Sequence, residues 1–153
     1  MGTDIERRTL DFERSSGQAL SSGLSTQIEV FPPVTIYTYS NCSTCRDAVK
    51  WLRAHGVAFV EKPIRETPPS VAELQRMLGY QSGNLRRLFN TSGQEYRALG
   101  LADKLPAMTE AEALALLAGN GRLVKRPFVL GDAFGLVGFN QAEWTGTFSQ
   151  LEI

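Results

Sequence analysis

The hydrophobic pattern divides the chain near residue 33. Residues 1–33 hold serine- and glycine-rich stretches with little apolar periodicity, which predicts a flexible N-terminal arm. The β-branched and aromatic run from Val34 to Tyr39 has the length of a strand and predicts one. We therefore expect a folded domain over residues 34–148, followed by a short C-terminal tail over residues 149–153.

Helical spacing begins directly after this first strand. Apolar side chains recur every three or four residues from Cys45 to Leu52, and His55-Gly56 is a typical C-terminal stop. Residues 57–60 then predict a second short strand. Because a helix connects the two strands, a right-handed crossover is favoured, and the strands are expected to be parallel in one sheet.

The middle of the chain, at about residues 79–121, is predicted to be helical. Two capping boxes mark helix starts: Ser70 with Glu73 just before this segment, and Thr109 with Glu112 within it. Glycines interrupt the helical pattern between them. The segment is therefore expected to be a helical insert between the two parts of the sheet.

Two apolar runs, Phe128–Leu130 and Gly135–Phe139, lie on either side of Gly131-Asp132, which is a hairpin signal. Asn140 is a suitable N-cap for a last helix that continues through Phe148. The predicted order of elements is β-α-β, a helical insert, then β-β-α. The expected fold class is α/β with a mixed sheet.

The composition excludes several classes of protein. Sixteen basic and sixteen acidic residues give a net charge of zero, so no overall field favours direct binding to nucleic acid. No apolar run approaches the ~20 residues that span a bilayer, and the N-terminal segment lacks the apolar core of an export signal. We expect a cytoplasmic, monomeric protein with no membrane partner.

The two cysteines, Cys42 and Cys45, are the strongest chemical signal. A C-x-x-C motif at a strand-to-helix junction exposes the first sulfur to free backbone N–H groups and to the positive end of the helix dipole, which favours the thiolate. The second cysteine lies one turn into the helix, where it can resolve a mixed disulfide. A zinc site is disfavoured because zinc takes four ligands, whereas the chain offers two thiols and one histidine. Inert, half-buried cysteines are the alternative.

The segments around these cysteines resemble the glutaredoxin-coupled arsenate reductase family, and within it the Spx and MgsR branch. The resemblance covers about residues 34–148 and implies a thioredoxin-like sheet with a helical insert, in agreement with the predicted order of elements. The matching segments are Thr35–Tyr37, Asn41–Arg46, Pro68–Leu74, Phe89–Arg97, Lys125–Pro127 and Val137–Asn140.

The resemblance also implies roles for individual residues. Cys42 corresponds to the catalytic cysteine of the family, Arg46 to the arginine four residues later, and Arg126 to the arginine that precedes a cis-proline, here Pro127. The second cysteine, Cys45, matches the Spx-type proteins, in which the pair is a redox switch. From the residues alone, Pro127 could equally be an ordinary trans proline at the start of an edge strand.

Two positions depart from the arsenate reductases. Asn90 and Phe139 stand where the family has further arginines for the oxyanion, and each charge-assisted donor contributes roughly 1.5–3 kcal/mol. We therefore expect weak arsenate binding, unless Arg86 or Arg87 supplies the positive charge of the missing arginines. Residues 62–66, which include Lys62, Arg65 and Glu66, are expected to be a solvated stretch.

Three functions are compatible with these residues. The first is a thiol–disulfide oxidoreductase that reduces a disulfide or arsenate, binds no cofactor, and takes electrons from glutathione and glutaredoxin or from thioredoxin. In this function Cys42 attacks the substrate, and Cys45 or glutathione resolves the adduct. The second is an Spx-like redox-sensing regulator that docks on the C-terminal domain of the RNA polymerase α-subunit, and the third is a redox-inert scaffold. Spx-type regulators carry a tail beyond the last helix, whereas this sequence ends at Ile153, so the oxidoreductase is favoured.

Overall fold

The computed structural model describes residues 33–151. The expected N-terminal arm lies outside these residues, apart from Pro33. At the other end, the last helix continues to Leu151 and so includes the first residues of the predicted tail. No helix in the described part of the chain is both long and apolar enough to span a membrane.

Four strands and six α-helices are found within residues 33–151, in the predicted β-α-β, helical, β-β-α order. They are β1 (Val34–Thr38), α1 (Ser43–Ala54), β2 (Phe59–Pro63), α2 (Val71–Tyr80), α3 (Gln94–Ala98), α4 (Leu101–Lys104), α5 (Glu110–Gly119), β3 (Phe128–Leu130), β4 (Gly135–Val137) and α6 (Gln141–Leu151). Three short 3-10 turns, at Leu85–Leu88, Leu105–Ala107 and Gly121–Leu123, complete the helical insert.

The four strands form one mixed sheet with the order β2-β1-β3-β4. β1 and β2 are parallel, as the α1 crossover predicts, and β3 and β4 form the predicted antiparallel hairpin. β1 also pairs with β3 in antiparallel register, with Ile36 opposite Val129. The α/β mixed-sheet fold class is therefore confirmed.

The second strand was misplaced by the sequence pattern. It was predicted at residues 57–60, but β2 begins at Phe59 and runs to Pro63. Val57 instead donates its backbone N–H to the carbonyl of Leu52 at 3.0 Å and closes the end of α1. Gly56 lies in this turn with a φ of 68°, a conformation that glycine adopts at little steric cost.

Successive side chains along the strands point to opposite faces of the sheet and contribute to two hydrophobic cores, one on each face. On β3, Val129 packs with α1 and α6, whereas its neighbours Phe128 and Leu130 pack with α2 and the insert. The α1 and α6 side is closed by the indole of Trp144, which is fully buried. The central strands of the sheet are thus covered on both faces.

The helix starts are capped as the sequence predicts. The capping boxes at Ser70 and Thr109 are both complete, and the Asn140 side chain accepts the backbone N–H of Glu143 at 2.9 Å. The helical insert is anchored to the chain just before β3, because Asn90 N donates to Leu123 O at 2.7 Å and Lys125 N donates to Leu88 O at 2.8 Å. This pairing carries Asn90 to the edge of the sheet from which β3 starts.

Candidate active site at the cysteine turn

Cys42 is the N-cap residue of α1. Its backbone is extended, with φ of −116° and ψ of 115°, and its Sγ accepts the backbone N–H of Cys45 at 3.4 Å. A turn from Tyr39 O to Cys42 N, at 3.1 Å, holds the approach to the helix. The sulfur therefore occupies the place of an oxygen in an ordinary cap and faces the positive end of a 12-residue helix.

The Cys42 thiol is half-buried and unusually acidic. Burial acts to raise its pKa, but the Cys45 backbone N–H, the Cys45 thiol and the Arg126 guanidinium all donate to the sulfur or lie near it, and together they outweigh burial. The net effect lowers the pKa of Cys42 below the ordinary thiol value. Cys42 is therefore the thiol that ionises first.

Cys45 has the opposite environment. Its side chain is 1% exposed and lies in the first turn of α1. Burial, helped by the hydrogen bond and charge of Cys42, raises the pKa of Cys45 to about 12 against smaller lowering effects of the Tyr39 backbone and Arg126. At neutral pH Cys45 keeps its proton and can donate it to the Cys42 thiolate.

Arg126 and Pro127 lie across from this helix start. The Arg126-Pro127 peptide bond is cis, as the family resemblance implies. The Pro127 carbonyl accepts the backbone N–H of Gly138 at 2.8 Å, which ties the start of β3 to the end of β4. The Arg126 guanidinium lies close enough to Cys42 to lower the pKa of its thiol, and it lies 4.9 Å from the ring centroid of Tyr39.

Arg126 also lines an open cleft of about 550 Å³ that extends away from Cys42 along the helical insert. We call it the arginine cleft. The lining residues used below are Arg65, Asn90, Ser92, Glu95, Arg122 and Arg126. Asn90 and Arg126, which the sequence placed in one substrate site, are thus brought together, and Arg122 joins them.

The other sequence-predicted residues lie elsewhere. Arg46 is exposed, and its Nη1 donates to the Ser40 carbonyl at 2.8 Å. It lines a groove with Cys45 and Glu61 that is separate from the arginine cleft. Phe139 packs its ring against Trp144 at 4.8 Å and belongs to the core. Arg86 and Arg87 line a separate groove, so they do not replace the missing arginines in the arginine cleft.

Sequence reasoning missed Arg65. It was expected to be solvated, but it is half-buried, and its guanidinium lies 3.8 Å from the ring centroid of Tyr39. A signal was available, because β1 and β2 are parallel and their carboxyl ends must meet at one edge of the sheet. Tyr39 follows β1 and Arg65 follows β2, at the same edge as Cys42.

These residues together can perform nucleophilic thiol chemistry. Cys42 supplies a stabilised thiolate, Cys45 holds a proton close by, and Arg126 adds positive charge beside the sulfur. Attack on an electrophilic sulfur needs such a thiolate, and a neighbouring thiol can then resolve the mixed disulfide that forms. The geometry therefore supports a redox cycle confined to the helix start.

Comparisons with known proteins agree with this arrangement. The sequence model of the ArsC family matches residues 37–147, a range that contains both cysteines, Asn90 and Arg126. Among curated proteins, the uncharacterized protein YusI of Bacillus subtilis is 43% identical over 111 residues, which are 72% of this chain and 94% of YusI. The regulatory protein MgsR of the same organism is 29% identical over 110 residues, which are 72% of this chain and 86% of MgsR.

A solved structure extends the similarity to three dimensions. The crystal structure of an ArsC family related protein from Bacteroides fragilis matches this chain with a TM-score of 0.72 and 41% sequence identity. The match covers 76% of this chain and 98% of that one. The relatives therefore share the whole β-α-β, helical, β-β-α domain.

Proposed function

This chain belongs to the ArsC family, and we propose that it works there as a thiol–disulfide oxidoreductase, with Cys42 as the nucleophile and Cys45 as the resolving thiol. The observation that carries the proposal is the opposite acidity of the two thiols. The pKa of Cys42 is lowered while that of its neighbour Cys45 is raised, so one sulfur is ready to attack and the other holds its proton in reserve.

The first step is attack of the Cys42 thiolate on one sulfur of a disulfide substrate. A bond forms between Cys42 Sγ and that sulfur, the substrate S–S bond breaks, and the second half of the substrate leaves as a thiolate. Arg126 and the N-terminus of α1 stabilise the Cys42 thiolate before attack.

The second step releases the other half of the substrate. Once Cys42 is in a mixed disulfide it carries no charge, so its charge and hydrogen bond no longer raise the pKa of Cys45. Cys45 Sγ then attacks Cys42 Sγ while its proton passes to the departing sulfur, which forms the Cys42–Cys45 disulfide, breaks the mixed disulfide and frees the bound half as a thiol. Two electrons have passed from the protein to the substrate.

An external thiol must return those two electrons. We propose glutathione with glutaredoxin, or thioredoxin, as the donor, since the family resemblance implies these systems. The Cys42–Cys45 disulfide accepts the electron pair, and the donor leaves as a disulfide. The proposal requires a reducing compartment such as the cytoplasm, and it requires no bound cofactor.

Arsenate is expected to be a poor substrate. Arg46 and Arg126 match arginines of the family, but of these two Arg126 alone lines the arginine cleft, whereas Asn90 is neutral and the Phe139 ring packs against Trp144. If each lost charge-assisted contact weakens binding by about 1.5 kcal/mol or more, two weaken it by at least ~100-fold, at ~1.4 kcal/mol per tenfold. A disulfide does not depend on those contacts.

The proposal is tested by coupled NADPH consumption with glutathione, glutaredoxin and glutathione reductase, or with thioredoxin and its reductase. Arsenate and a small disulfide are compared side by side. We expect disulfide-dependent turnover with at least one donor, little arsenate turnover, and loss of both with Cys42→Ser. Turnover that persists in Cys42→Ser, or absence of turnover in the wild type with every donor, would contradict the proposal.

A regulator is the second candidate, favoured by the similarity to the regulatory protein MgsR over almost the whole domain. In that case the same cysteine pair acts as a sensor, and its partner is the C-terminal domain of the RNA polymerase α-subunit. Titration of the reduced and oxidised protein with that isolated domain separates the two functions. Redox-dependent binding without disulfide turnover would favour the regulator.

A further inference from the structure

The arginine cleft has a chemistry that disulfide exchange alone does not use. Resting on the function proposed above, we propose that the cleft is a carboxylate subsite that binds the anionic end of a peptide-sized disulfide while Cys42 attacks its sulfur. The subsite is formed chiefly by Arg65 and Arg122, next to Arg126. Neither Arg65 nor Arg122 matches an oxyanion arginine of the arsenate reductases.

Tyr39 holds two of the three guanidinium groups in place. Arg65 lies 3.8 Å and Arg126 lies 4.9 Å from the centroid of its ring. Stacking on a ring leaves the N–H edges of a guanidinium free to donate, and it restricts the motion of the side chain before a ligand binds. The cleft therefore presents two pre-oriented arginines, and ordering them on binding costs little additional entropy.

Arg65 also has an unsatisfied donor. Its Nε atom is buried, and it has no hydrogen-bond partner in the described part of the chain. A buried donor without a partner is costly, and such groups in native proteins usually face a ligand, an ion or water. Because Nε itself is closed to a ligand, a carboxylate in the cleft would bond the Nη groups of the same guanidinium, whose charge no acceptor at Nε offsets.

The lining of the cleft favours an anion. Three arginines stand against one acidic residue, Glu95, whose Oε2 accepts the Asn120 side-chain amide at 3.4 Å. Glu66 borders a neighbouring cavity of about 470 Å³ that shares Arg65 and Arg122 with the cleft. Positive charge is therefore concentrated where the two cavities meet.

The size and position of the cleft indicate the kind of ligand. Its volume of about 550 Å³ is within the ~300–1,000 Å³ range of sites for small organic molecules, and a tetrahedral oxyanion would fill little of it. Arg126 lies close enough to Cys42 to lower the pKa of its thiol, and it also lines the cleft. A substrate with a disulfide at one end and a carboxylate at the other would therefore bridge the two places.

The test uses two matched substrates that differ in charge alone. They are the disulfide dimer of N-acetyl-Cys-Gly with a free C-terminal carboxylate, and the same dimer with a C-terminal amide. The variant is Arg65→Gln with Arg122→Gln. The control is Arg53→Gln with Arg86→Gln, which removes the same charge at exposed positions that do not line the cleft. Thermal melting verifies that both variants fold.

We expect the wild type to prefer the carboxylate substrate. In Arg65→Gln/Arg122→Gln, kcat/KM for the carboxylate dimer should fall about tenfold or more, the loss typical of one to two charge-assisted contacts, while the amide dimer is little affected. The control variant should retain the preference. Equal use of both dimers by the wild type, or an equal loss for both dimers in the variant, would overturn the subsite.

A binding measurement keeps the subsite separate from the proposed function. S-methyl-N-acetyl-Cys-Gly cannot exchange its sulfur, so its affinity by NMR titration reports on the cleft without redox chemistry. Tighter binding of its carboxylate than of its amide form, lost in Arg65→Gln/Arg122→Gln, supports the subsite even if no disulfide is turned over. Equal binding of the two forms would overturn the subsite even if both disulfides are reduced.

Discussion

Cys42 and Cys45 are three residues apart in the chain, yet their thiols have opposite acidities. The pKa of Cys42 is lowered, and that of Cys45 is raised to about 12. The residue type is the same, so the difference comes from position. Cys42 precedes the first turn of α1, where its sulfur accepts the backbone N–H of Cys45 and lies near the Arg126 guanidinium. Cys45 lies inside that turn and is buried.

The comparison shows that position relative to the helix start determines the pKa of each thiol. A sulfur at the N-cap gains from the free N–H groups and the dipole, and a sulfur one turn later is shielded from solvent. Burial alone would raise both pKa values, as it does in Cys45. The contacts of Cys42 with Cys45 and Arg126 reverse that effect at one position.

Removing the buried partner gives the largest expected change within this pair. In Cys45→Ser, the first step remains but the mixed disulfide cannot be resolved internally. We expect steady-state disulfide turnover to fall on the order of 100-fold, while one substrate half stays bound to Cys42. Mass spectrometry of the reaction mixture would detect that adduct, and release of both halves at the wild-type rate would show that Cys45 is not the resolving thiol.

Removing the Arg126 guanidinium should bring the pKa of Cys42 closer to that of Cys45. Without Arg126, burial is less opposed and the pKa of Cys42 rises. A higher pKa leaves less thiolate at low pH, so in Arg126→Gln the alkylation rate of Cys42 at pH near 6 should fall about tenfold, as expected for the loss of one charge-assisted hydrogen bond. Arg126→Lys, which keeps the charge, should retain an intermediate rate. An unchanged pH profile in Arg126→Gln would remove Arg126 from the account.

Adding a positive charge at position 90 has the smallest expected effect of the three changes. Asn90 lines the arginine cleft with Arg126, and its side chain lies over Gly93, which has no Cβ to obstruct it. Asn90→Arg should restore part of an oxyanion site and raise arsenate turnover by up to about tenfold, the value of one charge-assisted contact. Arg86→Gln, in the separate groove, is the control. Efficient arsenate reduction by the wild type would show that other donors already serve this purpose.

The sequence was sufficient for features that depend on neighbouring residues. The strand, cysteine turn and helix around Cys42, the capping boxes at Ser70 and Thr109, and the β3–β4 hairpin were all predicted, because each rests on local backbone chemistry. The cis bond before Pro127 was implied by the family resemblance and not by the residues alone. Local signals were thus enough to place Cys42 at the start of α1.

Features that depend on distant segments were harder to predict. Arg65 and Tyr39 are far apart in the chain, and their stacking requires the parallel pairing of β1 with β2 in a particular register. The direction of Arg46 depends on a bond to the Ser40 carbonyl, which spacing along a helix cannot reveal. Likewise, Arg86 and Arg87 line a groove separate from the arginine cleft because of how the insert folds. The sequence shows that they are charged but not which groove they line.

The pH dependence of cysteine alkylation tests the central claim most directly. Wild-type protein is treated with iodoacetamide from about pH 5 to about pH 9, and each cysteine is followed by peptide mass spectrometry, with urea-unfolded protein as the reference. A lowered pKa means that thiolate persists below the ordinary range and declines only when the pH falls through the lowered value. We predict that Cys42 reacts at pH near 6 well ahead of Cys45, with a midpoint below that of the unfolded protein. Equal rates for both cysteines, or a Cys42 midpoint at the unfolded value, would contradict the account.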